Sequence, residues 1–164
     1  KKKNKKEVRT YKMLIQEKFT VKAPIQQVWR FIINPQLIGN CVPGCENIEA
    51  IDERTYVATV KAGVGPIKVR FKINTSLTQI DEPKHIHMEG KGADMGMAGN
   101  FTQGSDVYLR EVSANETEVA YSSNVTVNGR IALFGDRIMR AQAKKIGEEF
   151  IKALKEKIEG QKET

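Results

Sequence analysis

Hydrophobic and polar positions alternate with period two over most of the chain, and the period changes to 3.6 near the end. Met13, Ile15, Phe19 and Val21 alternate with polar residues, which predicts a first strand, with Glu17 falling on the apolar face. Ala23-Pro24 then opens a short helix carrying Ile25, Val28, Trp29 and Ile32, with Pro24 expected at the first helical position. Asn34-Pro35 ends it and starts a second short helix through Leu37 and Ile38, which Pro43-Gly44 stops. From Glu46 to Gly129 the pattern predicts six further strands separated by turn residues. The clearest has Ile67, Val69, Phe71, Ile73 and Leu77 on one face and Lys68, Arg70, Lys72, Asn74 and Thr78 on the other. Such alternation gives one wet and one buried face, as in an antiparallel sheet.

After Gly129 a stripe of Ile131, Phe134, Ile138, Ala141, Ile146, Phe150, Leu154 and Ile158 predicts one helix of about 27 residues, or roughly 40 Å. A single apolar stripe of that length needs a matching apolar surface, and only the inner face of the sheet is large enough. The expected fold is α+β: a curved antiparallel sheet of six to seven strands wrapped around a long C-terminal helix, with two short helices after the first strand. A curled sheet and a helix diverge, so an internal cavity is expected.

The 164 residues suit one domain, expected over 13–158, with a basic tail at 1–12 and a frayed end at 159–164. The net charge of +7 raises nucleic-acid binding as a possibility, but residues 1–12 hold +6 of it and the remaining body is almost neutral. No nucleic-acid partner is therefore expected; a Lys-rich segment is a solvated terminus or a contact to an anionic leaflet. No membrane span and no signal peptide pattern is present, and a cytoplasmic location is expected, peripheral to the inner membrane face at most. Cys41 and Cys45, the two cysteines, are expected as free thiols ahead of a disulfide or a metal pair.

Chemistry-bearing residues are sparse. His85 and His87, the two histidines, share one strand face and are expected to meet solvent, which turns Ile86 and Met88 inward. A metal would need a third ligand, and no metal or cofactor is expected. The glycine-rich segment Gly90–Asn100 does not run from a strand into a helix, so it lacks the geometry of a phosphate cradle. It reads as a hairpin at the cavity mouth, with Met95 and Met97 as an adaptable apolar gate. Glu17 is the weak catalytic candidate: a carboxylate facing an apolar cavity is an acid or base with a raised pKa. Gln103, Ser105, Tyr121 and Ser123 fall on the same interior by alternation. Polar groups of this kind orient a ligand. The expected ligand lining is Phe71, Ile73, Met88, Met97, Phe101, Tyr121, Phe134 and Ile138.

Several motifs carry a family resemblance. They are the Phe19–Trp29 stretch with Ala23-Pro24, Asn34-Pro35, the Cys41–Glu46 turn, Val64–Lys68, Gly90-Lys91-Gly92 and the Val127–Arg137 helix entry. Together they resemble the helix-grip superfamily, which holds the START lipid-transfer domains and the birch-pollen-allergen-like proteins. Within it they are most similar to the CoxG family, named after the carbon monoxide dehydrogenase G-subunit. The resemblance covers about residues 13–158 and implies a helix-grip fold with a ligand cavity. It also implies a role beside an aerobic carbon monoxide dehydrogenase or related molybdenum hydroxylase at the membrane, where a quinone accepts electrons. Many members carry a C-terminal membrane anchor; this sequence stops at Thr164, soon after its helix, which leaves the basic N-terminal tail as a weaker candidate for peripheral membrane contact. The leading expectation is a non-enzymatic carrier of a hydrophobic small molecule, a quinone or other lipid. A small cyclase- or hydratase-like enzyme and an assembly factor acting through protein contacts are the alternatives.

Overall fold

The computed structural model describes residues 10–161. β1 (Thr10–Val21) leads into α1 (Ile25–Ile32) and α2 (Pro35–Gly39). Six strands follow: β2 (Cys45–Ala50), β3 (Thr55–Val64), β4 (Ile67–Asp81), β5 (His85–Asp94), β6 (Gly99–Ser113) and β7 (Glu116–Gly129). A 3-10 turn (Arg130–Phe134) then precedes α3 (Gly135–Glu159). The seven strands form one antiparallel sheet in the order β1-β7-β6-β5-β4-β3-β2. Consecutive strands are neighbours except that β1 closes onto β7. The two short helices therefore carry the chain from one sheet edge to the other.

Local chemistry fixes the short helices. The Asn34 side chain accepts hydrogen bonds from the Gln36 and Leu37 amides at 3.0 and 3.2 Å, with Pro35 in the first turn where its missing N–H costs nothing. Pro24 sits one position earlier than expected: it is the N-cap of α1 in extended conformation, and helical residues start at Ile25. β1 starts at Thr10, upstream of the expected domain start, because Thr10–Lys12 pair in register with Asn128–Thr126. The rest of the expected tail, 1–9, and the last residues, 162–164, lie outside the described residues.

The predicted C-terminal helix is divided. Gly135 has φ 84°, a left-handed conformation that interrupts helical hydrogen bonding, so residues 130–134 form a separate 3-10 turn. α3 starts afresh at Gly135. Ala141, expected on the apolar stripe, is exposed, and Met139, seven residues before Ile146 on the same helix face, is buried instead.

Two hydrophobic clusters result. One joins α1, α2 and the C-terminal end of α3 to the sheet, through Trp29, Phe31, Leu77, Ile86, Leu154 and Ile158 among others. The second joins the 3-10 turn and the start of α3 to the opposite end of the sheet, through Val69, Phe71, Val127, Ile131 and Met139. Polar ties repeat this division. Asp136 accepts from the Tyr11 hydroxyl at 2.6 Å and from Arg140 at 2.9 Å at the helix start. Glu159 accepts from the Lys22 amide at 2.8 Å, and Gln27 donates to the Ile158 carbonyl at 3.1 Å, at the helix end.

α3 is thus packed at its two ends, while Ala143, Ile146 and Phe150 between them are half-buried. Leu154→Ala is expected to cost about 2–5 kcal/mol, the usual range for a filled core site. Ile146→Ala is expected to cost less than about 1.5 kcal/mol, because its side chain borders open space. Urea unfolding of both variants checks this; equal losses mean that the middle of the helix is packed as tightly as its end.

Candidate functional site

The inward face of the sheet is half-open where it passes under the middle of α3. Met13 and Ile15 on β1, Tyr121 and Val125 on β7, Gln103 on β6, Met88 on β5, Ile73 on β4 and Ala58 on β3 all lie on the inward register. All are only half-buried. A sheet face in full contact with a helix buries such residues; these border a space instead. Main-chain approach of α3 to the sheet runs chiefly along β1 and β3, strands near opposite edges, so the helix bridges the trough between them. Ala58 presents a small side chain to the trough, while Gly90 is covered by the Gln103 side chain. A Cβ on Gly90 would stand 3.0 Å from the Gln103 side-chain amide.

Polar groups in this space fall into two kinds. Ser105 and Ser123 are fully buried and hydrogen-bond each other at 2.8 Å across β6 and β7, so their polarity is satisfied within the wall. The tyrosines differ. Burial raises the Tyr56 pKa, and the nearby Tyr121 hydroxyl raises it further, so Tyr56 stays a neutral donor throughout the physiological range. Among the described residues no buried side-chain oxygen or nitrogen lacks a hydrogen-bond partner.

The expected lining divides in three. Tyr121 and Met88 border the middle of the trough. Phe71, Ile73, Phe101 and Phe134 close one end of it, with Phe71 and Phe101 edge to face at 5.1 Å between ring centres. Ile138 is half-buried on α3, and Met97 stands in solvent at 86 % exposure, away from the other seven. The left-handed backbone at Met97, φ 66°, belongs to the turn between β5 and β6. Glu17 keeps its inward register, opposite Tyr121, but is exposed on the edge strand and does not face an enclosed interior. Tyr56, Ile146 and Phe150 join the trough from outside the expected lining. Alternation in β3 and the α3 stripe are the signals that point to them.

The glycine-rich segment is also redistributed. Gly90 and Gly92 are buried within β5, and the hairpin proper is Met95–Ala98. At Gly92 a Cβ would lie 2.4 Å from the Phe101 ring, so the glycine makes room for that aromatic.

The histidines lie on the outer face and form a chain with carboxylates. Asp106 meets His85 Nε2 at 2.7 Å and His87 Nδ1 at 2.8 Å, while His87 Nε2 meets Glu89 at 2.6 Å. His85 stacks on Tyr108 with ring centres 4.3 Å apart. Both nitrogens of His87 face carboxylates, an arrangement the imidazolium satisfies with a donor at each. The Glu89 hydrogen bond, then that of Asp106, raise the His87 pKa against a smaller opposing effect of burial. Among the described residues no group of three or more His, Cys, Asp or Glu is placed to hold a metal ion. Cys41 and Cys45 are free; Cys41 is buried against the Leu37 carbonyl, and burial raises its pKa.

Gly92→Ala is expected to destabilise by about 1–3 kcal/mol through overpacking against Phe101, measured by denaturant unfolding; Phe101→Leu in the same chain is expected to recover part of the loss. A pKa raised on folding contributes stability that is full below about 6.5 and is lost as pH rises through the folded value. Glu89→Gln is therefore expected to lower the His87 titration midpoint in NMR. It is also expected to cost more stability at pH 5.5 than at pH 9.

Among curated protein sequences none matches this chain. Solved structures do. A conserved protein from Geobacillus kaustophilus superposes with TM-score 0.83 at 22 % identity, covering 90 % of this chain and 96 % of that one. A START superfamily protein from Mycobacterium smegmatis gives 0.70 at 12 %, covering 90 % and 97 %. The Zhui aromatase/cyclase from Streptomyces sp. R1128 gives 0.68 at 12 %, covering 91 % and 94 %. At these identities the likeness establishes the START-like, helix-grip fold. The sequence profile of the carbon monoxide dehydrogenase G-subunit (CoxG) matches residues 18–159, nearly the whole of the sheet and helix just described, and the chain belongs to that family.

Proposed function

We propose that this protein is a non-enzymatic carrier that holds a hydrophobic small molecule, a quinone or other lipid, between the sheet and the middle of α3. The observation that carries this reading is the half-open apolar trough between two packed ends. Water gains little from wetting Met13, Ile15, Met88, Ile146 and Phe150, and an apolar ligand gains about 25 cal/mol for each Å² it removes from water there. The neutral Tyr56 hydroxyl supplies a donor for one polar end of such a ligand, as suits a carbonyl oxygen. Membership of the CoxG family supports a place beside a carbon monoxide dehydrogenase or related molybdenum hydroxylase. An enzymatic reading has weaker support. Glu17 is exposed, and the serine pair in the interior is satisfied by its own hydrogen bond.

The test is titration of the purified, delipidated protein with decylubiquinone and, separately, with oleate, followed by native mass spectrometry. Saturable one-to-one binding in about the micromolar range is expected for one of them. Ala58→Trp fills the trough and is expected to abolish that binding while leaving the unfolding transition cooperative. If neither probe binds the wild type, or the filled variant binds as well as it does, the carrier reading fails.

A further inference from the structure

We propose that the end of the molecule formed by the β5–β6 hairpin and the 3-10 turn is a docking surface for an anionic lipid bilayer, with Met95, Met97 and Leu133 entering the interface. These are three of the largest exposed apolar side chains, at 61, 86 and 58 % exposure. They belong to adjoining segments: the Ile131 amide donates to the Ala98 carbonyl at 3.1 Å, and Gly99 packs against Ile131. The β3–β4 turn completes this end, with Gly65 under the Phe134 ring.

The hairpin is held in shape, so the exposure is a built feature. The Asp94 carboxylate is buried beneath it and accepts from the Arg70 amide and the Ala98 amide, both at 2.9 Å. The Met97 amide returns to the Asp94 carbonyl at 2.9 Å, and Met97 occupies a left-handed conformation that side chains rarely adopt. An unbranched, flexible side chain held outward in this way suits an irregular apolar medium.

Charge selects the partner. Segments 61–72, 91–102 and 126–140 hold eight Lys and Arg, of which Lys61 and Arg70 pair with Glu46, against two Asp. One of those acids is buried in the hairpin, and the other is tied to Tyr11 and Arg140. Lys68, Lys72, Lys91, Arg130 and Arg137 are exposed on the strands, turn and helix start that lead into the apolar tip. Apolar residues at a tip with cations around them match an anionic leaflet, apolar inside and negative at the headgroups. This surface stands whether or not the interior carries a lipid.

The test is flotation of the full chain with phosphatidylcholine vesicles containing or lacking about 30 % phosphatidylglycerol. Binding to the anionic vesicles alone is expected, falling as salt shortens the range of attraction. The combined Met95→Ser, Met97→Ser and Leu133→Ser variant is expected to bind about tenfold more weakly with its unfolding transition unchanged. Arg130→Gln with Lys68→Gln is expected to flatten the salt dependence. In Met97→Trp, the new indole fluorescence is expected to shift blue and be quenched by brominated lipid, while Trp29 stays buried and unaffected. An indole that remains water-exposed on bound vesicles assigns the attachment to the basic segment alone and overturns the proposal. Failure to bind anionic vesicles also overturns it and leaves a protein partner for the tip.

Discussion

A straight helix laid across a curled sheet makes dense contact at two places and bridges whatever lies between. In this protein those places are fastened. Asp136 holds Tyr11 and Arg140 where α3 starts, and Glu159 holds the Lys22 amide where it ends. Leu154 and Ile158 close one end against α1 and Trp29, and Met139 closes the other against Ile131 and Val127. The sheet supplies the curvature, the helix the roof, and the trough is what neither can fill. A helix free to tilt would settle onto the central strands and close it.

The same arrangement explains how polar groups are distributed. In the wall itself, Ser105 and Ser123 satisfy each other and expose no unmet donor to an apolar occupant. Tyr56 and Tyr121 lie on the inward register of β3 and β7, and burial keeps the Tyr56 hydroxyl neutral. A pocket of this composition binds by shape and apolar area and orients its guest through a few donors. The ionisable residues are kept elsewhere: the histidines pair with Asp106 and Glu89 on the outer face, and Arg70 grips Glu46 through two hydrogen bonds there.

The two ends of the trough differ in character. The end near α1 and α2 is thick with buried aromatic and aliphatic side chains. The opposite end is thinner, built from hairpin turns and a 3-10 segment, and carries exposed methionines amid positive charge. The free energy of opening differs accordingly, since few buried contacts and short turns lower the cost of local rearrangement.

Much of this was legible in the chain. Period-two alternation from Met13 to Val127 determined seven strands and their inward residues, because side-chain direction in a strand depends on backbone geometry alone. The outward histidines and inward Met88 follow from the same rule. The helix boundaries at Asn34-Pro35 follow from proline's missing donor. The break at Gly135 escaped the pattern, because a glycine's left-handed φ is chosen by the packing around it. The roles of Gly90 and Gly92 were likewise hidden: a glycine reads as a turn until Gln103 is seen over the one and Phe101 over the other. The exposure of Glu17 and of Met97 was decided by position at a sheet edge and a hairpin tip. Alternation along the chain is enough to say which residues point inward. Which of those meet another side chain and which face empty space was left to the packed molecule, because that depends on how far the sheet curls beneath the helix.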